Sequence, residues 1–256
     1  MYIIYLFNII KKIHNIILMF NIILFLIHPT IVLLSNYLKK NKKKINVIFD
    51  LDNTLIISME KNKYLNLNIS HKPTILNLKS TIMSTTRVVW VRPMVSTVLY
   101  LLDKFTNIYL YTHAEKTYAD NILLQLNIDE YFIDCRYRED NVETKDIIKF
   151  FPDINKIEEL KRNLSKIKKY SRLDKLSKDM INEIYKTKKK LDKTLQKYLK
   201  SQDEFISKSI LIDDLITNNC LGQEIYHIKY FYCGMEYDIE LLKLLLYMFY
   251  RNYISS

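Results

Sequence analysis

The sequence predicts an α/β fold built on a doubly wound parallel sheet. Short apolar runs rich in β-branched residues occur at 45–49, 107–112 and 209–213, and each is followed by polar residues. Between the first two runs and after the second, residues 95–105 and 116–126 carry apolar side chains at helical spacing. Strands that alternate with helices in this way indicate parallel strands joined by right-handed crossovers.

Four further segments complete the expected core. Residues 87–91, 131–134 and 224–228 are short apolar runs that predict strands. Residues 238–250 are rich in leucine at helical spacing, so we expect an amphipathic helix that covers the sheet. Because aspartate is a common first residue of a helix, Asp238 is interpreted as a cap and not as a site residue.

Two regions do not fit this alternation. Residues 56–86 are rich in Ser, Thr, Asn and Lys, which favours an irregular loop with one hairpin, placed as a lid over a site. Residues 155–200 show a lysine-rich helical pattern. Such a polar helix is expected on the exterior of the domain, as an insertion that covers about 174–208.

The strand at 45–49 is followed by two aspartates, Asp50 and Asp52. Side chains two apart on an extended chain point to the same side, so both carboxylates face one space at the carboxyl end of the strand. Close carboxylates resist ionising together, and Mg²⁺ relieves this repulsion. The pair therefore favours phosphoryl transfer, with one carboxylate as nucleophile and the other as general acid and base. Taken alone, the pair also fits an Asp-Asn turn that caps a helix.

Composition narrows the partners and the compartment. The chain has 256 residues with a net charge of +11, and the lysines lie mostly in runs and on helical faces. Such lysines are typical of solvated surfaces, and the arginine and aromatic platforms of single-strand binders are missing, so no direct nucleic-acid partner is expected. Three cysteines cannot form a complete disulfide framework, which favours a reducing compartment.

The amino-terminal region predicts a membrane anchor. Residues 16–34 contain no charged side chain, and this length can span a bilayer as a helix, although Pro29 could divide it into a hairpin. Five lysines follow within 39–44, and such a flank stays on the cytosolic side. A secretory signal or an Arg-rich mitochondrial presequence fits less well. We therefore expect a membrane segment with its basic flank at 1–44 and a catalytic domain at 45–250.

Taken together, the motifs resemble those of the haloacid-dehalogenase superfamily, in the NLI-interacting-factor-like branch that includes the RNA polymerase II C-terminal-domain phosphatases. The motifs occur in the family's order: Phe49-Asp50-Leu51-Asp52-Asn53-Thr54-Leu55, Val91-Arg92-Pro93, Tyr109-Leu110-Tyr111-Thr112 with Tyr118-Ala119, Tyr137-Arg138-Glu139, and Ile210-Leu211-Ile212-Asp213-Asp214. The resemblance implies a Rossmann-like fold and a Mg²⁺-dependent protein phosphatase. The Gly that usually follows Arg-Pro in the family is replaced by Met94.

The resemblance also implies roles for individual residues. Asp50 would be the nucleophile and a Mg²⁺ ligand. Asp52 would be the general acid and base, with its backbone carbonyl on the metal. Thr112 would bind phosphate, and Asp214 would be the third metal-ligand position. Asp213 and, in a further motif, Arg138 would support the site.

The family also uses a lysine that neutralises the phosphate, placed just before a short Leu-rich helix in a Lys-x-Leu-Ser-x-Leu pattern. Residues 168–173 offer the nearest match, so Lys168 is the predicted residue, with Lys169 and Lys175 as fallbacks. The alternative, that these lysines are solvated helix surface, fits the pattern equally well.

Two membrane-anchored subgroups of the branch fit the layout. The Dullard-like type implies a Ser/Thr phosphatase that acts on phosphorylated proteins at the nuclear envelope or endoplasmic reticulum, with its catalytic domain in the cytosol. The other type is the peptide-binding receptor of the presequence translocase in the mitochondrial inner membrane, which is often non-catalytic. Retention of Asp50, Asp52, Thr112 and Asp214 favours the first type.

Overall fold

The computed structural model describes residues 45–66, 72–79, 86–140, 145–170, 178–218, 220, 222–233, 235 and 238–254. The predicted membrane segment at 16–34 and its lysine flank lie outside these ranges. Within the described part of the chain, no helix combines the length and apolar character that a membrane crossing requires.

Five parallel strands form the central sheet, as the sequence predicts. They are Ile45–Phe49 (β1), Thr106–Tyr111 (β5), Asp134–Arg136 (β6), Ser209–Asp213 (β7) and Glu224–His227 (β8). Their order across the sheet is β6-β5-β1-β7-β8, and every neighbouring pair is parallel. The strand predicted at 131–134 begins instead at Asp134, because a short 3-10 turn occupies Asp129–Tyr131.

Side chains from both faces of this sheet are buried, so helices cover each side. Helices Val95–Asp103 (α2), Lys116–Leu126 (α3) and Glu240–Ile254 (α6) pack with Val47 and Phe49 on one face. On the other face Ile48 packs in a smaller cluster, and Phe205 and Ile206 lie against that cluster. The other members are Tyr109, Tyr111, Ile147, Phe150 and Leu211. Burial on both faces explains why β1 is apolar at every position except Asn46.

Three strands between residues 56 and 91 form a second sheet, where the sequence analysis expected a loop with one hairpin and then a core strand. Strands Ile56–Glu60 (β2), Ile75–Lys79 (β3) and Thr86–Val91 (β4) pair antiparallel in the order β2-β4-β3. A short helix, Lys61–Asn66 (α1), follows β2. The expectation of an irregular region was wrong because β2 is half-buried and carries polar residues, which hides the alternation expected of a strand.

Two long helices separate β6 from β7. They are Ile154–Tyr170 (α4) and Lys178–Ser207 (α5), and they pack against each other. α5 occupies the range predicted as a lysine-rich insertion, about 174–208. The side chains of α4 and α5 are mostly exposed, which agrees with the expected position on the exterior.

The Arg-Pro motif after β4 has a structural role. Arg92 is buried, and its Nε lies 2.9 Å from Oδ2 of Asp238. The guanidinium also donates to the carbonyl of Lys229 and lies over the ring of Phe231. Asp238 in turn accepts from the backbone N–H of Glu240 at 2.8 Å, which confirms its predicted role as a cap. Arg92 thus fastens the end of the second sheet to the start of α6.

Met94 occupies a backbone conformation that favours glycine. Its φ is 70° and its ψ is 11°, in the left-handed region, immediately before α2 begins. An L-residue in this conformation brings its Cβ close to a carbonyl oxygen, at a cost of roughly 1–2 kcal/mol. The geometry therefore gives a physical reason for the glycine that usually stands at this position.

Two substitutions at Met94 isolate that cost. Met94→Gly and Met94→Ala both remove the half-buried side chain, but only alanine keeps the Cβ. We predict that the glycine variant has the larger free energy of unfolding, by about 1 kcal/mol, because the strain is relieved. Urea unfolding of the full chain in mild detergent measures the difference. An alanine variant at least as stable as the glycine variant would contradict the assigned strain.

Candidate active site

A buried lysine joins two carboxylates at the carboxyl edge of the central sheet. The Lys145 Nζ lies 2.5 Å from Oδ1 of Asp50 and 2.6 Å from Oδ2 of Asp213. All three residues are buried. At these distances the ammonium donates charge-assisted hydrogen bonds to both carboxylates, which are stronger than hydrogen bonds between neutral groups.

Strand pairing sets the spacing of the carboxylates. Phe49 of β1 pairs with Ile212 of β7, and the N–H of Asp50 donates to the carbonyl of Ile212 at 2.9 Å. Asp50 and Asp213 are the next residues on two parallel neighbours, so both leave the sheet at the same level. Adjacent parallel strands lie about 4.8 Å apart, close enough for one ammonium to reach both side chains.

A third carboxylate completes an acidic cluster. Asp50, Asp213 and Asp214 each offer an oxygen, and these oxygens all lie within 4.8 Å of one another. Thr54 donates to Oδ1 of Asp214 at 3.4 Å, whereas Oδ2 is buried and accepts no hydrogen bond within the described ranges. Three carboxylates therefore lie around one ammonium, and Oδ2 of Asp214 has no hydrogen-bond donor within the described ranges. These carboxylate oxygens fit a hard cation such as Mg²⁺, which prefers oxygen ligands of this kind.

The segment that carries Lys145 is held by the loop after β7. The Lys145 N–H donates to the carbonyl of Asn218 at 3.1 Å. The Gln223 side chain donates to the Lys145 carbonyl at 3.0 Å and accepts from the Ile147 N–H at 2.6 Å. The Asn218 amide also donates to both oxygens of Asp213 at 3.0 Å. These contacts fix the backbone of Lys145 and the orientation of Asp213 together.

The side chain of Asp52 makes different contacts from those of Asp50. The Tyr118 hydroxyl lies 3.0 Å from Oδ1 of Asp52 and 2.6 Å from Oγ of Ser58. Asp52 is half-buried and lines an open cleft of about 290 Å³. The other residues of this cleft are Asn53, Ser58, Arg87, Ala114, Glu115, Tyr118 and Arg138. Asp52 therefore stands between the buried cluster and a surface that a substrate can reach.

Two other predicted site residues flank this arrangement. Thr112 directly follows β5, the neighbour of β1, and its Oγ1 accepts from the N–H of Ala114 at 3.0 Å. Arg138 donates from Nε to the carbonyl of His113 at 2.8 Å, and its side chain is 62% exposed. The structure thus brings Asp50, Asp213 and Asp214 together directly and places Asp52 and Arg138 on the adjoining cleft.

Burial perturbs the acid-base behaviour of the cluster. Burial raises the pKa of Asp50 to about 7, partly opposed by Lys145, and the Asp213 carboxylate raises it further. Burial alone would lower the pKa of Lys145, but Asp50 and Asp213 outweigh it, so the pKa is raised and the ammonium stays charged. Burial also raises the pKa of Asp52 and of Asp214. A raised pKa suits a carboxyl group that must give up a proton near neutral pH.

Lys168 does not lie in this cluster. It is exposed in the last turns of α4, whereas Lys145 is the lysine that contacts Asp50. Of the two fallbacks, Lys175 and the side chain of Lys169 lie outside what the structure describes. The sequence does contain a signal for Lys145. Lys145 and Asp146 precede a short helical turn, Ile147–Phe150, and Ile147 stands where the family pattern has its first leucine.

Comparison with known proteins agrees with the motifs. Residues 45–168 match the family of NLI interacting factor-like phosphatases. This match confirms the resemblance to the branch that includes the C-terminal-domain phosphatases. No match is found among curated proteins.

Solved structures of two related phosphatases are similar to the chain. One is Fcp1, described as an essential RNA polymerase II CTD phosphatase, with a TM-score of 0.43, 14% identity, and coverage of 83% of this chain and 52% of that chain. The other is a variant of the fission yeast CTD phosphatase Fcp1 bound to beryllium fluoride, with a TM-score of 0.40, 13% identity, and coverage of 82% and 63%. The chain therefore spans less than two thirds of the length of either.

The raised pKa of Asp50 gives a prediction about stability without added metal. With its pKa raised to about 7, Asp50 keeps its proton in the folded protein up to about pH 7, whereas in the unfolded chain it loses the proton near its ordinary pKa of 3.8. Because the folded state binds more protons between these values, rising pH lowers the stability of the wild type in that window. We predict that Asp50→Asn, which cannot ionise, gains stability relative to the wild type as pH rises from about 4 to 7.

Urea unfolding of the full chain in EDTA, at several pH values, measures this gain. The matched control is Asp103→Asn, an exposed aspartate of α2 outside the cluster. A relative stability of Asp50→Asn that falls over the same pH window would contradict the raised pKa.

Proposed function

From the match of residues 45–168 to the NLI interacting factor-like phosphatases and from the buried cluster, we propose that the chain is a Mg²⁺-dependent protein Ser/Thr phosphatase. We further propose that residues 1–44 anchor it to the nuclear envelope or endoplasmic reticulum, with the catalytic domain in the cytosol. The observation that carries the proposal is the Lys145 ammonium between Asp50 and Asp213, beside an Asp214 oxygen that has no hydrogen bond within the described ranges.

Asp50 is the proposed nucleophile. One of its carboxylate oxygens forms a bond to the phosphorus of a phosphoserine or phosphothreonine, and the bond from phosphorus to the substrate oxygen breaks. The Asp52 carboxyl group gives its proton to the leaving oxygen, so the product is a neutral hydroxyl. The raised pKa of Asp52 favours the protonated form that this step needs.

The second step restores the enzyme. Asp52, now ionised, removes a proton from a water molecule, and the water oxygen attacks the phosphorus of the aspartyl-phosphate. The bond between Asp50 and phosphorus then breaks, which releases inorganic phosphate. The hydrogen bond from Tyr118 to Asp52 keeps the carboxyl group aimed at the cleft where both steps occur.

Positive charge is needed around the phosphoryl group throughout. Lys145 supplies a fixed ammonium that touches the attacking carboxylate. Thr112 supplies a hydroxyl at the end of the neighbouring strand. Mg²⁺, held by Asp50, Asp214 and the Asp52 carbonyl, would neutralise the phosphate oxygens when bound. These groups act on the charge that develops as the phosphoryl group is transferred.

The proposed substrate class follows from access to Asp52. The cleft is open, and Arg87 and Arg138 on its walls carry positive charge beside the catalytic carboxyl group. An open cleft accepts a phosphorylated side chain on an extended segment of protein, whereas a small metabolite needs an enclosed pocket for most of its contacts. The openness of the cleft therefore supports a protein substrate over a small metabolite.

Turnover of a generic aryl phosphate by the full chain in detergent tests the proposal. We predict Mg²⁺-dependent hydrolysis, lost by at least about 10⁴-fold in Asp50→Asn, because the residual activity of a site without its nucleophile is small. Thermal unfolding of both proteins controls for folding. If folded wild type binds Mg²⁺ but shows no turnover with aryl phosphates or phosphopeptides, the phosphatase is excluded, and the peptide-binding receptor of the mitochondrial presequence translocase becomes the account to test.

A pair of lysine variants tests the assignment of the phosphate lysine. Lys145→Gln is expected to lose about 10²–10³-fold in kcat, the scale seen when one electrostatic group is removed from a transition state. Lys168→Gln, an exposed change on α4, is expected to leave kcat unchanged. Circular dichroism establishes that both variants fold. If Lys168→Gln lost activity while Lys145→Gln kept it, Lys168 would be restored to its predicted role.

A further inference from the structure

The two helices α4 and α5 form a hairpin that extends away from the domain. Its base is fixed by contacts between Phe151 and Phe205 and between Lys156 and Tyr198. α5 is buried at Gln202 and runs back to Lys178, and a rise of 1.5 Å per residue places Met180 about 33 Å from Gln202. The far half of the hairpin therefore presents a surface that is separate from the surface of the domain.

That far half is densely basic. Because Lys156 lies beside Tyr198 in an antiparallel pair, residues 161–170 of α4 run alongside residues 184–193 of α5. Residues 161–170 and 180–193 together contain nine lysines, one arginine and two acidic residues, Glu183 and Asp192. The side chains of Lys166, Lys186 and Lys190 are exposed. Ten basic residues therefore stand against two acidic residues in this part of the hairpin.

Apolar side chains are exposed at the same end. Met180 and Ile181 are each 51% exposed, and Tyr185 is 66% exposed. Ile181 and Tyr185 are four residues apart, so they lie on one face of α5, whereas Met180 is four residues from Ile184 and lies on the face of Ile184. Ile184 and Leu191 lie on another face and are half-buried. An exposed apolar group next to lysines is the pattern of a helix that lies in the interface of a bilayer.

The hairpin returns to the domain where the amino-terminal segment enters it. The N–H of Asn46 donates to the carbonyl of Lys208 at 2.8 Å, and the Asn46 amide donates to Ser209 at 3.1 Å. These residues lie at the amino edge of the sheet, opposite the carboxyl edge that holds Asp50. The chain that enters at this edge follows the apolar and lysine-rich sequence of residues 1–44.

We propose that the far half of the hairpin, residues 161–170 and 180–193, docks on the surface of a membrane that contains anionic lipids. The lysines contact the headgroups, and Ile181 and Tyr185 enter the boundary between headgroups and acyl chains. This inference does not depend on phosphatase activity, because it concerns a surface remote from Asp50.

The chemistry favours lipid over nucleic acid. Nine of the ten basic residues are lysines, which act as point charges, and Arg162 is the one arginine among them. Binding of single-stranded nucleic acid uses several aromatic side chains on which successive bases stack, whereas residues 180–193 contain one aromatic residue, Tyr185. Anionic headgroups attract lysines without specific geometry, at about 1 kcal/mol for each residue near the surface.

Fluorescence quenching by brominated acyl chains tests the proposal in the full chain. Trp90, the single tryptophan, is buried, so Tyr185→Trp adds a reporter on the hairpin. The protein is reconstituted in brominated phosphatidylcholine vesicles with or without phosphatidylserine. The matched control is Lys200→Trp, an exposed position near the base of α5. We expect quenching at position 185 that requires phosphatidylserine, and none at position 200.

Three added substitutions test the role of charge. Lys186→Gln, Lys189→Gln and Lys190→Gln, made in the Tyr185→Trp background, should weaken docking by about a hundredfold and abolish the quenching. Equal quenching with and without phosphatidylserine, or none in either, overturns the proposal. So does binding of polyuridylate that requires the same lysines while phosphatidylserine has no effect. None of these readouts uses turnover, so failure here is separate from failure of the proposed function.

Discussion

The ion pairs of Lys145 with Asp50 and Asp213 are the interaction on which the rest of the site depends. Charged groups taken out of water cost several kcal/mol each unless they are paired at good geometry, and removing one partner of a buried pair typically costs about 3–5 kcal/mol. Here one ammonium serves two carboxylates, at 2.5 and 2.6 Å. Parallel pairing of β1 with β7 sets the carboxylates, and Gln223 holds the lysine backbone between them.

The excess of negative charge in this cluster explains why the site can bind a cation. Three carboxylates lie close together with a single ammonium among them, and an Asp214 oxygen is buried with no hydrogen bond in the described part of the chain. Burial raises the pKa of Asp50, and repulsion from Asp213 adds to this, whereas a nucleophile must be ionised. A bound cation and the phosphate that accompanies it would resolve this conflict. Without them, the cluster stores unfavourable electrostatic energy in a rigid frame.

The sequence predicts most of the central sheet, but not all of the candidate active site. β1 and β7 are buried on both faces, so their apolar runs are unbroken and point directly to Asp50 and Asp214. Lys145 was missed because the match at 145–147 is short and the approach of Lys145 to Asp50 depends on distant contacts with Asn218 and Gln223. In the second sheet, β4 was predicted as a strand at 87–91. β2 was missed because it is half-buried and carries polar residues, which hides the alternation expected of a strand.

Trapping the covalent intermediate tests the central claim most directly. The full chain is mixed with a phosphopeptide and Mg²⁺, quenched in acid, and treated with tritiated borohydride, which releases the phosphate and converts an aspartyl-phosphate to labelled homoserine. The account predicts homoserine at position 50 alone, formed because the Asp50 carboxylate beside Lys145 attacks phosphorus. Turnover with no homoserine at position 50, or with the label on another residue, would contradict it.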